Sequence, residues 1–401
     1  MSFVVTLADA ADAGAGAVGG KAASLGELAR AGVAVPPGFA VTAGAFTAAM
    51  AALDPDGAMR AGIEGLPAGD LAEIARVAAR FRGVIAEAPL PSGVAVAIEE
   101  SYATLGGTPD VAVRSSATVE DSAEASFAGL QDTYLGVSGP APVLDHVRRC
   151  WASMYNDESV AYRRRLGLPE TGVAMAVVVQ RMVAPRAAGV MFTRSPVTGD
   201  RSVVAIEGTW GLGSALVSGD VTPDAWVISK VTGEITARRV SPKVKIHGFI
   251  PNGGVANAGG TGGTGGVMGR VTVSDTPEDL REAPCLTDEE IRALAVVARR
   301  VEAHYGIPQD IEWAVLDAPF AGADPGSPSG DLRGAGSPGV GSPSAGSPSA
   351  GSPGAGGSAE SRVVLLQSRP ETVWSARDPK PAGAPKPRAA DHVLTLFGKP
   401  L

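Results

Sequence analysis

Arg114 follows a short apolar run, Val111-Ala112-Val113, and leads into a stretch to Tyr134 rich in hydroxyl and small side chains, beginning Ser115-Ser116-Ala117-Thr118. These residue types suit a polyphosphate. The apolar run reads as the end of a buried strand, and small residues after it let backbone N–H groups approach an anion. Arg114 adds a permanently charged, planar fork matched to phosphate oxygens. The same composition also fits a Ser-rich surface loop with a solvated arginine, so the company the segment keeps has to decide.

A second group lies near the C-terminal end. In Asp310-Ile-Glu-Trp-Ala-Val-Leu316, alternation puts Ile311, Trp313 and Val315 on one face and Glu312 and Ala314 on the other. In Val363-Val-Leu-Leu-Gln-Ser-Arg-Pro-Glu371, Gln367 and Arg369 share a face. If the two segments pair as a hairpin with an expanded turn, Glu312, Gln367 and Arg369 converge on one surface. A carboxylate and an amide oxygen are hard donors suited to Mg²⁺, and the arginine would face the phosphate that the metal bridges. Taken singly, each residue is better read as part of a surface ion pair on an amphipathic hairpin; together they are more telling.

The elements that must position these residues show both helical and strand periodicity. Leu71, Ile74, Val77, Ala78, Phe81 and Ile85 recur at helical spacing, as do Ile291, Leu294, Ala298, Val301 and Tyr305. Thr287 with Glu290 predicts a capping box for the second helix, and Gly306 its left-handed end. Val173 to Gln180 reads as a buried strand, and Val203 to Ile206 as another. Between about Ala318 and Glu360 the triplet Gly-Ser-Pro occurs five times. Such a segment has too little to bury to offset its ordering entropy, so a disordered insertion is expected. Gly253 to Gly266 is expected to form a mobile Gly-rich loop.

Composition sets the outer limits. The chain has 401 residues, 45% of them apolar, and a net charge of −8. It is long enough for a sizeable core in two or three subdomains, while the negative balance argues against a nucleic-acid partner. Cys150 and Cys285 fit no zinc or disulfide spacing and read as core residues, which favours a reducing cytoplasm. No apolar run reaches the length of a membrane span, so no membrane partner is expected. Two familiar nucleotide motifs fail. Gly16 to Ala22 is too short for a Walker A loop and lacks the hydroxyl after Lys21, and Gly211-Leu-Gly213 has only part of the dinucleotide fingerprint.

Nine segments in order carry a resemblance: Val18-Gly-Gly-Lys21 through Glu27, Val35 to Phe39, Val113 to Thr118, Ala125 to Gly129, Gln180 to Val183, Gly189 to Thr193, Trp210 to Gly213, Asp310 to Trp313 and Gln367 to Glu371. Together they resemble the nucleotide-binding domain of the phosphoenolpyruvate synthase and pyruvate phosphate dikinase family, shared with rifampicin phosphotransferases. The resemblance implies an α+β, ATP-grasp fold in which two lobes close on ATP and Mg²⁺. It places an N-terminal lobe at 1–183, a C-terminal lobe at 184–317, the low-complexity insertion at 318–360, a final strand at 361–375 and an extended tail at 376–401.

Carried onto this sequence, the resemblance makes Lys21, Arg114 and Arg369 the catalytic cations on the triphosphate. Glu312 and Gln367 become the Mg²⁺ ligands. Ser115, Ser116 and Thr118 fall in a small-residue loop over the phosphates. Gln180, Met182 and Val183 read adenine from between the lobes, and Glu207 contacts ribose or adenine. In this family the phosphoryl group passes to a histidine on a swivelling carrier domain and then to pyruvate or another acceptor. His146, His247, His304 and His392 lie in none of the glycine-rich settings expected of that carrier. The expectation is therefore an ATP-dependent phosphotransferase that needs a separate carrier protein or subunit. The alternatives are the same chemistry with a phenol or antibiotic as acceptor, or a non-catalytic nucleotide-binding regulatory module.

Overall fold

The computed structural model describes residues 2–117, 121–122, 125–126, 132–170, 172–251, 270–320, 358–372 and Trp374. Thr118, the Gly253–Gly266 stretch, residues 321–357 of the insertion and the tail from 376 lie outside the described residues.

Helices and antiparallel sheets make an α+β fold. The first sheet uses β1 (Val4–Thr6), β2 (Gly38–Val41), β3 (Asp110–Ala117), β6 (Thr133–Ser138) and β7 (Met175–Arg181), in the order β1-β2-β7-β3-β6. Between β3 and β6 lies the two-residue pair β4 (Asp121–Ser122) and β5 (Ala125–Ser126). The second sheet uses β8 (Ala187–Phe192), β9 (Val203–Trp210), β10 (Asp224–Ser229), β11 (Ile235–Arg239), β14 (Gln309–Val315) and β15 (Val363–Pro370), in the order β11-β10-β9-β8-β14-β15. A separate hairpin, β12 (Lys245–Ile250) with β13 (Arg270–Asp275), reaches from the second sheet to pack against β6 of the first.

The middle of the first sheet is buried on both faces, with Val177 and Val179 of β7 in one core and Val178 in the other, and the second sheet is covered by a helix. Helix Leu71–Glu87 places Ile74, Ala78, Phe81 and Ile85 in the core of the first sheet; Leu71, its first residue, lies outside the packed stripe and is exposed. Helix Asp288–Tyr305 covers the second sheet with Ile291, Leu294, Ala298 and Val301. Its start is the expected capping box of Thr287 and Glu290, and Gly306 ends it at φ 70°. Trp313 is fully buried over Gly208, where any Cβ would come within 2.8 Å of the indole ring. Cys150 and Cys285 are free and buried, and burial pushes both thiols up.

Helix Ala15–Arg30 joins the two sheets. It packs on β7 and β3 from one side and on β15 from the other, with Val18, Ala22, Leu25 and Leu28 fully or almost fully buried. It is kinked at Gly19, whose φ of 76° and ψ of 163° lie in a region essentially reserved for glycine. A Cβ there would sit 2.2 Å from both the carbonyl oxygen and the Oγ of Ser116. Gly19 thus lets the helix touch β3 two residues from Arg114. Gly19→Ala should lower stability by about 2 kcal/mol or more, because it adds a disfavoured backbone and a clash with main chain. Urea unfolding of the variant measures this, and an unchanged midpoint would show the contact to be dispensable.

Candidate nucleotide site between the sheets

The hairpin expected from alternation is present. β14 pairs antiparallel with β15, with Glu312 opposite Gln367 and Asp310 opposite Arg369. The register shifts after Glu312, so that Trp313 faces Leu365 and Leu366 becomes the extra residue of a β-bulge. β14 also pairs with β8, with Glu312 opposite Val190. Glu312 and Gln367 therefore sit side by side on the last two strands at one edge of the second sheet.

Arg114 reaches them from the first sheet. Its Nη2 donates to Glu312 Oε2 at 2.9 Å and to Gln367 Oε1 at 2.8 Å, while Nη1 donates to the Leu366 carbonyl at 2.9 Å. The bulge presents that carbonyl to the guanidinium. The Arg114 side chain is 13% exposed and that of Glu312 is 38% exposed. This is a charge-assisted cluster in partial contact with solvent, directional enough to fix the arginine across the gap between sheets.

Beside the cluster lies a cavity of about 420 Å³. Arg114 and Glu312 form a charged end beside Leu366, Arg181 lines the cavity further along, and Met182, Val183, Pro185 and Leu212 contribute apolar lining. A charged end with an apolar remainder suits a ligand with an anionic head and a flat hydrophobic body. Gln180, Met182 and Val183, which the resemblance assigns to adenine, are among the residues lining this space. The Gln180 side chain, however, is buried and donates to the Pro36 carbonyl. The N–H groups of Arg181 and Met182 bond to Pro37 and Asp110.

Other sequence-named residues fall elsewhere. Ser115 and Ser116 are not in a loop, because β3 continues through Ala117 and buries both side chains. The continuous pairing of β3 with β7, from Val111–Arg181 to Ala117–Met175, overrides the loop-forming composition. Ser116 Oγ instead accepts from the Lys21 N–H at 3.2 Å, fixing Lys21 beside β3. Lys21 does not line the cavity, nor does Glu207, which lies opposite the lining residue Val190. Arg369 is half-exposed and points its Nε at Asp310 Oδ2, 3.6 Å away.

Asp310 is the residue that the sequence reading passed over. It precedes Glu312 on the same strand face, and its Oδ1 is buried without a hydrogen-bond partner. Burial pushes its carboxyl up to about 6, against the opposing pull of Arg369 and with Glu371 adding to the rise. An acidic residue two positions before Glu312 on an alternating strand was the available signal. Among the described residues no group of three or more His, Cys, Asp or Glu side chains forms a metal cluster. A metal here would thus have few protein ligands, as Mg²⁺ commonly does when phosphate oxygens complete its shell.

Residues 15–321 match the family described as pyruvate phosphate dikinase, AMP/ATP-binding domain. A rifampicin phosphotransferase from Streptomyces sp is 44% identical over 79% of this chain and 35% of its own length. A probable phosphoenolpyruvate synthase from Methanothermobacter thermautotrophicus is 41% identical over 75% of this chain and 42% of its own. The phosphoenolpyruvate synthase of Aeropyrum pernix is 35% identical over 90% of this chain and 41% of its own. The chain thus spans less than half the length of these relatives. With the match covering well over half of its residues, the chain belongs to the pyruvate phosphate dikinase AMP/ATP-binding domain family.

Proposed function

We propose that this chain is the ATP-binding part of a phosphoenolpyruvate synthase-like phosphotransferase, and that its two sheets are the lobes of an ATP-grasp clamp. The observation that carries the reading is Arg114 of one sheet bonded to Glu312 and Gln367 of the other at the charged end of the cavity. The adenine lies in the apolar part against Met182 and Val183, with the Val183 main chain as its hydrogen-bonding edge. The triphosphate lies toward Arg114, with Lys21 and Arg369 contributing further positive charge as the lobes close. Closure excludes the water that would otherwise hydrolyse the donor.

The donor set fits Mg²⁺: Glu312 and Gln367 offer adjacent hard oxygens, and the orphaned Asp310 Oδ1 points to a cation or donor nearby. When bound, the metal would neutralise charge on the phosphate oxygens. The protein's own part is to align the chain of phosphates and to stabilise, through Arg114, the charge that builds up during transfer. In the full reaction the phosphoryl group goes to the imidazole of a separate carrier domain or subunit, for later delivery to pyruvate, in the cytoplasm. The 44% identity to a rifampicin phosphotransferase supports a second reading, in which the same carrier delivers to an antibiotic instead.

Two outcomes follow. Glu312→Ala should weaken Mg-dependent ATP binding by about tenfold or more, as expected when a charged ligand is lost, in titration calorimetry with and without Mg²⁺; equal affinities would remove Glu312 from the metal site. Incubation with a carrier-histidine protein and ATP labelled on the β-phosphate should place label on that histidine. Tight Mg-ATP binding with no label on any carrier tested would favour the regulatory module.

A further inference from the structure

Ser214, in the wall of the cavity, is joined to His247 by a hydrogen bond and through it to Asp220 by a charge contact, and none of the three has a place in the reading above. Ser214 lines the cavity and opens a short helix, Ser214–Val217. Its Oγ is 2.9 Å from His247 Nδ1. On the far side of the ring, Asp220 Oδ2 lies 3.1 Å from Nε2, within ion-pair range though off the line of a hydrogen bond. Ser218 Oγ donates to that same Asp220 oxygen at 2.5 Å. His247 is 7% exposed and belongs to β12, so a residue of the bridging hairpin holds both ends of the 214–220 segment.

The backbone reinforces this placement. The Leu212 N–H donates to the His247 carbonyl at 2.8 Å, and Gly211 bridges to the same residue. Gly211 has φ 70°, and a Cβ there would lie 2.3 Å from that carbonyl oxygen, so the close approach needs glycine. Gly213 lies over Ala188 and Gly189 of β8. Ala188 is opposite Ala314, two residues along β14 from Glu312, or about 7 Å by strand rise. Ser214 therefore lines the cavity over β8, a short way along from Glu312, in the part that the reading above assigns to the nucleoside.

These contacts have a direction. A carboxylate beside Nε2 favours the proton on that nitrogen, which leaves Nδ1 as an acceptor. The Ser214 hydroxyl then gives its hydrogen to Nδ1 and turns its lone pairs to the cavity. We propose that Ser214, positioned by His247 and Asp220, is a specificity-determining acceptor for a hydrogen-bond donor on the nucleoside, either a ribose hydroxyl or the 6-amino group of adenine. This rests on the ATP-binding reading and assigns it a discriminating residue.

The test compares Mg-ATP with 2′-deoxy-ATP, 3′-deoxy-ATP and purine riboside triphosphate by calorimetry on wild type, Ser214→Ala and Asp220→Asn. For wild type, one analogue should bind about three- to tenfold more weakly than ATP, the loss of one hydrogen bond. Ser214→Ala should show the same loss with ATP and no further loss with that analogue, so the discrimination disappears. Asp220→Asn, at a half-exposed position, should reduce the discrimination while leaving the thermal midpoint unchanged. An analogue penalty of the same size in Ser214→Ala and wild type would overturn the proposal. Absence of Mg-ATP binding by wild type would instead overturn the ATP-binding reading itself.

Discussion

The guanidinium of Arg114 is the interaction on which the site depends. It leaves β3 in one sheet and bonds a carboxylate, an amide oxygen and a main-chain carbonyl on β14 and β15 in the other. The two oxygens it holds are those proposed as metal ligands. In the proposed reading Arg114 occupies the oxygens that the metal would take, so Mg-ATP would exchange partners with Arg114 while keeping its charge nearby. That constraint explains an arginine at this place. Its planar fork spans the gap and can turn from carboxylate to phosphate with little change in geometry.

The surroundings serve to fix both ends of that contact. On the first sheet, the kink at Gly19 brings helix Ala15–Arg30 against Ser116, so the strand bearing Arg114 is braced from behind. On the second, the bulge at Leu366 presents a carbonyl, while Trp313 anchors β14 in the core immediately after Glu312. The same helix and the β12–β13 hairpin both touch the two sheets, giving the cavity two independent straps.

Much of this was legible in the chain, for reasons that differ by residue. The β14–β15 pairing could be read because alternation of Ile311, Trp313 and Val315 against Glu312 is a local pattern, and it survived a long interruption. The helix Asp288–Tyr305 was readable from its cap and its stripe. Ser115 and Ser116 were misplaced, because pairing with β7 is a long-range effect that overrules hydroxyl-rich composition. Asp310 was passed over although its spacing to Glu312 was visible; its burial and orphaned oxygen were not. The contacts of Ser214, His247 and Asp220 join residues from separate segments, so no local pattern in the chain marks them.

The central claim is that Glu312 and Gln367 hold a divalent cation on the phosphates of a nucleotide lying in the cavity beside Arg114. Crystals grown with Mn²⁺ and a non-hydrolysable ATP analogue test it most directly through the anomalous signal of the metal. The account predicts a peak bridging Glu312 and Gln367 oxygens to the phosphates, with the Arg114 guanidinium turned onto a phosphate oxygen. A metal peak remote from both residues, or a nucleotide bound outside the cavity, would contradict it.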